Sequence, residues 1–410
     1  MDRRHHRRFP VAIKHDGREY LTTAQVAKVL GVKESTIYAY VSRGRLQSHR
    51  IAGYDGSVFA LGDIENAMSS RARPRTPAGA TERIRTQLTY LHDDRLYYRG
   101  IDAMALAESA TYEQVAELLW QKPWPTETDS ANSSAERIGA AVGRICGAGA
   151  RGVDRIRMAV DLSGARDAQR HNGERDAVVT KAAGAILAAI SALGPGPSTG
   201  SVAHRLWPRL TDVPPTRRHL RLLDGALVAL ADHDMSASTL AARVAASARG
   251  SVYAVIGAGL GAFDGPIHGG ATSLAYRFLA AALDDPAAAI ADHERGGMVI
   301  PGTGHVVYAH HDPRADYLVD ALGRLRGGDV RVMVAVAALQ DSLGTAGFIN
   351  SDLALAALAL RFEMRVDAAE TIFAVARIVG WTAHALEEYA EPRLRFRPEG
   401  IYTGVRPTTG

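Results

Sequence analysis

A chain of 410 residues has room for two or three domains on a prior of roughly 100–200 residues each, and 47% hydrophobic with 22% charged residues is the balance of an ordinary globular protein. No apolar run reaches the roughly 18 residues of a membrane span, the basic start "MDRRHHRRFPVAIKHDG" has no apolar core of a secretory leader, and the single cysteine, Cys146, excludes an internal disulfide and fits a reducing cytoplasm. The net charge of +4 is uneven: residues 1–75 carry 14 Lys and Arg against 7 Asp and Glu, the remainder 34 against 37, so the basic excess that suits a polyanionic partner lies in the N-terminal part.

Residues 1–10 read as a solvated tail. "YLTTAQVAKVLGVKESTIYAYVSRGRL" then has the spacing of a helix-turn-helix. Thr22 or Thr23 caps the first helix, Ala27 admits a second helix closely, Gly31 takes the left-handed turn, and Ile37 packs back. The second helix presents Lys33, Ser35, Thr36, Tyr38 and Tyr40, with Arg43 and Arg45 following, all able to touch phosphates or base edges. "SHRIAGYDGSVFALGDIENAM" reads as a short hairpin and a closing helix. The unit resembles a winged helix-turn-helix of the MerR/excisionase type over about residues 19–68, a module that serves either DNA or protein contacts.

"SSRARPRTPAGATE", residues 69–82, reads as a linker. Helical patterns follow at 112–121, 135–147, 177–193, 217–232, 237–262, 270–283, 314–325, 331–343, 352–361 and 367–388, with scarce strand signal and no internal repeat. The body is thus expected to be all-α. "GAGLGA", residues 257–262, superficially fits a dinucleotide fingerprint, but the Ala/Leu helix after it leaves no second strand. Close helix packing is the better reading.

Three histidines of the body have unusual neighbours. His233 ends an apolar helical run ahead of a Ser/Thr cluster, His268 precedes Gly269 and Gly270 at a helix start, and His305 sits in "GTGHVVY". Each alone reads first as a satisfied core histidine. No HExxH or Cys/His pairing supports a metal site, and no GxSxG elbow supports serine hydrolysis. A histidine at a helix N-terminus is kept neutral by the macrodipole and can donate to a developing oxyanion, a role His268 fits. Asp352, in "GFINSDLALAAL", reads as an N-cap on pattern alone; partly desolvated, it would be a better base.

The segments "LTYLHDDRLYYRGIDAMALAESATYEQVAELLW", "ADHDMSAST", "GPIHGGA", "GTGHVVYAHHDPRA", "NSD", "FAVARIVGWTAHALEE" and "RPEGIYTG" together resemble the citrate synthase family, from about Leu88 to Gly404. With the helix-turn-helix in front, the chain is similar to a bacterial subgroup that carries such a prefix. The resemblance implies an all-α citrate synthase fold, with a large domain over 83–268 and 378–410 and a mobile small domain over 269–377, after a helix-turn-helix domain over 1–68. It implies a cytoplasmic homodimer without membrane contact that condenses acetyl-CoA, a co-substrate, with oxaloacetate and hydrolyses the thioester. Neither metal nor cofactor is implied.

By the same resemblance Asp352 is the base, His268 stabilises the enol or enolate, and His305 polarises the ketone. Arg314, Arg377 and Arg397 bind carboxylates, Arg397 in the partner's site, and His233 is a further substrate contact. Ile300, Gly302, Thr303 and Gly304 lie along CoA. This chain departs from a frequent "GHRVYK" pattern, with Val306 and Ala309 where many relatives carry basic residues, and has "NSD" for "NVD". Propionyl-CoA as substrate, and a metabolite-sensing DNA-binding regulator, stay open beside acetyl-CoA.

Overall fold

The computed structural model describes residues 12–16, 18–30, 32–42, 46–61, 63–64, 84–147, 149–296, 299–344 and 347–396. These fall into two compact units, on either side of residue 84. Gly31, Arg43, Arg45, the linker 69–82 and Arg397 lie outside the described residues.

In the first unit β1 (Ile13–His15), β2 (Arg18–Thr22) and β3 (Val58–Ala60) form an antiparallel sheet in that order, with Tyr20 opposite Ala60 and Ile13 opposite Tyr20. Helices α1 (Thr23–Leu30) and α2 (Glu34–Ser42) complete it. Thr22 is the cap: its hydroxyl accepts the Gln25 N–H, and the Gln25 side chain returns to the Thr22 N–H. Leu21, Val26, Leu30, Ile37, Phe59 and Ile64 close the small core. Lys33, just before α2, and Ser35 and Tyr38 on it are exposed, while Thr36 and Tyr40 are partly covered.

The second unit is helical apart from one small sheet: β4 (Thr89–His92), β5 (Arg95–Tyr98) and β6 (Ile101–Asp102). Its helices are α3 (Ala103–Ser109), α4 (Tyr112–Trp120), α5 (Asp129–Ile145), α6 (Gly152–Arg166), α7 (Arg175–Ser191), α8 (Val202–Leu210), α9 (Arg217–Leu230) and α10 (Ala237–Ser247). There follow α11 (Val252–Phe263), α12 (Ala271–Ala281), α13 (Pro286–Arg295), α14 (Pro313–Gly323), α15 (Arg331–Leu343), α16 (Ser351–Arg361) and α17 (Ala368–Glu388). Ser, Thr, Asp and Asn side chains cap many of them, among them Thr111, Ser201, Thr216, Ser236, Ser251, Asp312 and Asn350. Among the described residues, no helix is long and apolar enough to cross a membrane.

Helix α17 is the centre. Nearly every one of its 21 residues is buried, the mark of a helix surrounded by others rather than laid on a surface. Tyr112 donates to the Val375 carbonyl at 2.7 Å and Trp120 to Val379 at 3.0 Å. Gly259 of α11 admits Trp381, whose ring a Cβ there would approach to 2.6 Å. The Gly/Ala run is therefore a packing device, as its composition suggests.

Two expectations differ from the structure. The pattern 237–262 is two helices, because the chain breaks at Gly250 and Ser251 caps a new start, accepting from Ala254 N–H. The scarce strand signal hid the hairpin Thr89–Tyr98, turned at Asp93 and Asp94, both at positive φ; its Leu91 and Leu96 alternate with exposed polar residues over too few positions to stand out. For Gly259→Ala, overpacking against Trp381 is expected to cost about 1–3 kcal/mol of stability. Denaturant unfolding of the full chain checks it, with a shifted midpoint at unchanged slope as the expected result.

Candidate active site

Six segments converge beside α17. The turn after α9 brings His233, α10 brings Ser238, the turn before α12 brings His268, the loop 299–312 brings His305 and Tyr308, and the starts of α14 and α16 bring Arg314 and Asp352. The buried His233 ring reports their proximity. Burial first, then the charges of Arg314, Arg377, His305 and His268, push it well below the ordinary imidazole value. Its Nε2 lies 2.9 Å from the Tyr308 hydroxyl, and its ring meets that of His305 edge-on at 5.1 Å.

His305 is neutral, brought down to about 4 by burial and Arg314, with Asp312 opposing. Its Nδ1 accepts the Val307 N–H at 3.1 Å. In a neutral ring the proton then sits on Nε2, so His305 offers one N–H donor. His268 is likewise brought down to about 4, by burial and then by Arg377. Its Nε2 is 2.7 Å from the Ser238 hydroxyl, and Nδ1 has no partner among the described residues. The helix start contributes through geometry: Gly269 N–H bonds the Phe263 carbonyl, and a side chain at Gly269 would collide with the Phe263 ring. The macrodipole expected from sequence is thus not the leading cause of a neutral His268; burial and a guanidinium are.

Two arginines are buried here. Arg314 grips Asp312 through Nε and Nη2 at 2.9 and 2.8 Å, leaving Nη1. Burial disfavours both charges, but each holds the other ionised: Asp312 below the usual carboxylate range, Arg314 above its own value. The "DPR" segment opens α14, with Asp312 as N-cap and Pro313 in the first turn. Arg377 donates Nε to the Leu230 carbonyl at 2.8 Å and stacks over Phe373. Its Nη1 and Nη2 are buried without a hydrogen-bond partner, and burial brings the guanidinium down to about 10. A buried guanidinium fork left open is a costly arrangement unless a ligand carboxylate fills it.

Asp352 is not the cap of α16. Asn350 is, accepting the Asp352 N–H at 2.9 Å, so the Asp352 carboxylate is left for the site. Burial pushes it up to about 7, Arg314 pulling it down and Asp312 adding. The loop before His305 is tied to this helix start. Gly304 N–H bonds the Phe348 carbonyl, the Asn350 N–H bonds Gly302, the Asn350 amide bonds the Gly304 carbonyl, and Thr303 bridges Ile349. Gly302, at φ +83°, leaves no room for a Cβ, which would sit 2.7 Å from that of Leu353. Ile300 is buried and its carbonyl accepts the Thr303 hydroxyl.

The structure therefore gathers His233, His268, His305, Arg314, Arg377 and Asp352, with Ile300, Gly302, Thr303 and Gly304 alongside. Sequence reasoning passed over Ser238, Tyr308, Asp312 and Asn350. The first was read only within a Ser/Thr cluster; the burial that makes them matter has no one-residue signature. Among the described residues no three His, Cys, Asp or Glu side chains gather as a metal site requires.

The fold is that of citrate synthases. The crystal structure of citrate synthase from Thermotoga maritima superposes with a TM-score of 0.67 at 24% identity, covering 82% of this chain and 98% of that one. The Thermoplasma acidophilum citrate synthase, in a ternary complex with carboxymethyl coenzyme A and oxaloacetate, gives 0.64 at 23%, covering 81% and 96%. The family description "Citrate synthase, C-terminal domain" matches residues 79–399, and "Helix-turn-helix domain" matches 20–65. Citrate synthase of Haloferax volcanii is 30% identical over 78% of this chain and 93% of its own, and 2-methylcitrate synthase of Shewanella oneidensis is 28% identical over 76% and 89%. The chain belongs to the citrate synthase family and carries an N-terminal helix-turn-helix domain.

The Asp352 carboxyl has a stability consequence. Its folded value of about 7 lies above the unfolded one, about 3.9. The proton it holds stabilises the fold at low pH, and that contribution is lost as pH rises through about 7. Asp352→Asn cannot ionise, so its melting temperature relative to the native chain is expected to rise between pH 4.5 and pH 8. Thermal unfolding at both pH values checks this.

Proposed function

We propose that the chain condenses oxaloacetate with an acyl-CoA thioester and hydrolyses the resulting thioester, acetyl-CoA giving citrate. The observation that carries this reading is the open, buried fork of Arg377 beside two neutral histidines and a carboxyl near pH 7. Such a set suits a dicarboxylate that must meet a carbon acid.

In this reading Asp352, once ionised, removes a proton from the carbon next to the thioester carbonyl. A carboxylate alone is too weak for that, so the developing oxyanion needs a preorganised donor. His268 donates from Nδ1, with Nε2 accepting from the Ser238 hydroxyl. The enol carbon attacks the ketone of oxaloacetate, and His305 gives its Nε2 proton to the ketone oxygen. Arg314 and Arg377 hold the carboxylates; Arg397 is the third guanidinium, supplied across a homodimer, and His233 orients the same substrate. Closure of residues 269–377 over the rest of the body excludes water until the new bond has formed. CoA lies along Ile300–Gly304, and the exposed Val306 leaves its phosphates to other groups.

A second reading, propionyl-CoA giving 2-methylcitrate, is supported by the Shewanella relative, nearly as similar as the Haloferax one. One methyl changes discrimination by only about 1–3 kcal/mol. CoA release from each ester with oxaloacetate separates the two by kcat/KM. Asp352→Asn is expected to lower kcat about 10²–10⁴-fold, and native kcat/KM to fall as pH drops below about 7. No turnover with either ester would overturn both readings.

The helix-turn-helix domain supports a further role, DNA contact through Lys33, Ser35, Thr36, Tyr38 and Arg43. If it binds, the logarithm of the full chain's affinity falls linearly with the logarithm of salt concentration, and Lys33→Ala reduces the slope by about 1. Absence of salt-dependent binding to mixed-sequence or promoter DNA would remove this role.

A further inference from the structure

Behind the substrate groups runs a buried polar chain that the mechanism above does not use. Asp232, one residue before His233, is fully buried. Its carboxylate accepts the Thr89 hydroxyl, and His384 Nε2 lies 3.2 Å from Oδ1. On the other side of the ring, His384 Nδ1 is 2.8 Å from Arg243 Nη1. An arginine can only donate, so Nδ1 accepts and Nε2 is the ring's donor, facing Asp232. Arg243 continues to Glu387 at 2.8 Å and Glu388 at 3.1 Å, and Glu388 takes two further bonds from Arg395, each 2.7 Å.

Arg377 lies beside this chain without a hydrogen bond to it: its Nε bonds the Leu230 carbonyl, two residues before Asp232, and each group feels the other's charge. Arg377, Gly380 and His384 are spaced i, i+3, i+7 on α17 and share one face. The turn at 231–232 lies against that face: Gly380 N–H bonds the Ala231 carbonyl at 3.0 Å, and a Cβ at Gly380 would come 2.5 Å from Asp232 Oδ1. Glycine is needed there for the carboxylate to sit between the two cationic or polar neighbours. Tyr98 fixes the same turn, its hydroxyl 3.0 Å from the Asp232 carbonyl and 3.2 Å from its N–H. Among the described residues the buried side-chain polar atoms without a hydrogen bond are Asp232 Oδ1, Arg243 Nη2, Trp381 Nε1 and both terminal nitrogens of Arg377, the His384 bond falling on Asp232 Oδ2 at 3.3 Å.

We propose that Asp232 and His384 are a positioning pair for the oxaloacetate site: His384, its tautomer set by Arg243, orients Asp232 as a fixed countercharge that holds the Arg377 fork open for a substrate carboxylate. The pair touches no reacting atom and moves no proton. The inference rests on the proposed oxaloacetate reading and adds what presets one of its anchors. A buried guanidinium with no countercharge would turn to find another acceptor, and its fork would be lost to the ligand.

The test uses the full chain and three variants. His384→Phe keeps the ring volume and removes both polar atoms, His384→Gln keeps one donor and one acceptor, and Thr89→Val removes one bond to Asp232 without altering α17. His384→Phe is expected to raise the KM for oxaloacetate about tenfold or more while leaving the KM for acyl-CoA within twofold, Thr89→Val to raise the former less, and His384→Gln to return it towards native. Equal loss across both substrates, no rescue by Gln, or a lower oxaloacetate KM in His384→Phe would each overturn the proposal. Thermal stabilisation by oxaloacetate alone, compared between native and variant chains, reads the pair without turnover. A native chain that is stabilised by oxaloacetate yet turns over no ester therefore counts against the synthase reading and leaves the pair to be judged on the shift, which His384→Phe must diminish.

Discussion

The site depends on two guanidinium groups held in an apolar interior. Arg314 and Arg377 are both buried, and a buried cation is stable only with a countercharge or a ring of acceptors. The two are solved differently. Arg314 has its own carboxylate, Asp312, in a two-bond clasp. Arg377 has one backbone carbonyl, an aromatic face and an open fork. The same burial, and after it the charge of these guanidiniums, keeps the histidines uncharged: His233, His268 and His305 are neutral and act as single-proton donors or acceptors.

Asp352 shows the opposite balance. It has no clasping arginine; Arg314 favours its ionised form but burial wins and pushes it up to about 7. Asp312, nearby and clasped, is held ionised. Two aspartates within forty residues thus have separate characters because one owns its cation and the other only shares its field. The helix start at Asn350 makes this workable: Asn350 takes the capping duty, so the Asp352 carboxylate has no bond to a backbone N–H that would lower it.

The helical class, the capped starts and the helix-turn-helix were legible, because Ala/Leu periodicity and Ser/Thr/Asn caps are local signals. Thr22 and the Ser/Thr cluster that holds Ser236 needed no tertiary information. The site was legible only through ordered short segments; spacing alone left His233, His268 and His305 as three unrelated histidines. What stayed hidden is what depends on partners far along the chain. Ser238 matters because His268 lies thirty residues away, and Asp352 because a different residue caps its helix. The break at Gly250 was hidden by apolar residues that suit one long helix as well as two.

The central helix has a further consequence for how the chain is made. Its carbonyls receive the side chains of Tyr112 and Trp120, 263 and 259 residues earlier. Contacts of such separation carry a large loop-closure cost before they return anything. On the ribosome, the helices that surround α17 emerge with their inner faces uncovered and must wait for almost the whole chain. The N-terminal unit, whose core closes within the first 64 residues, has no such wait. Synthesis order therefore makes the small unit the early one and leaves the body exposed to aggregation longest, with its buried histidines and arginines assembled last.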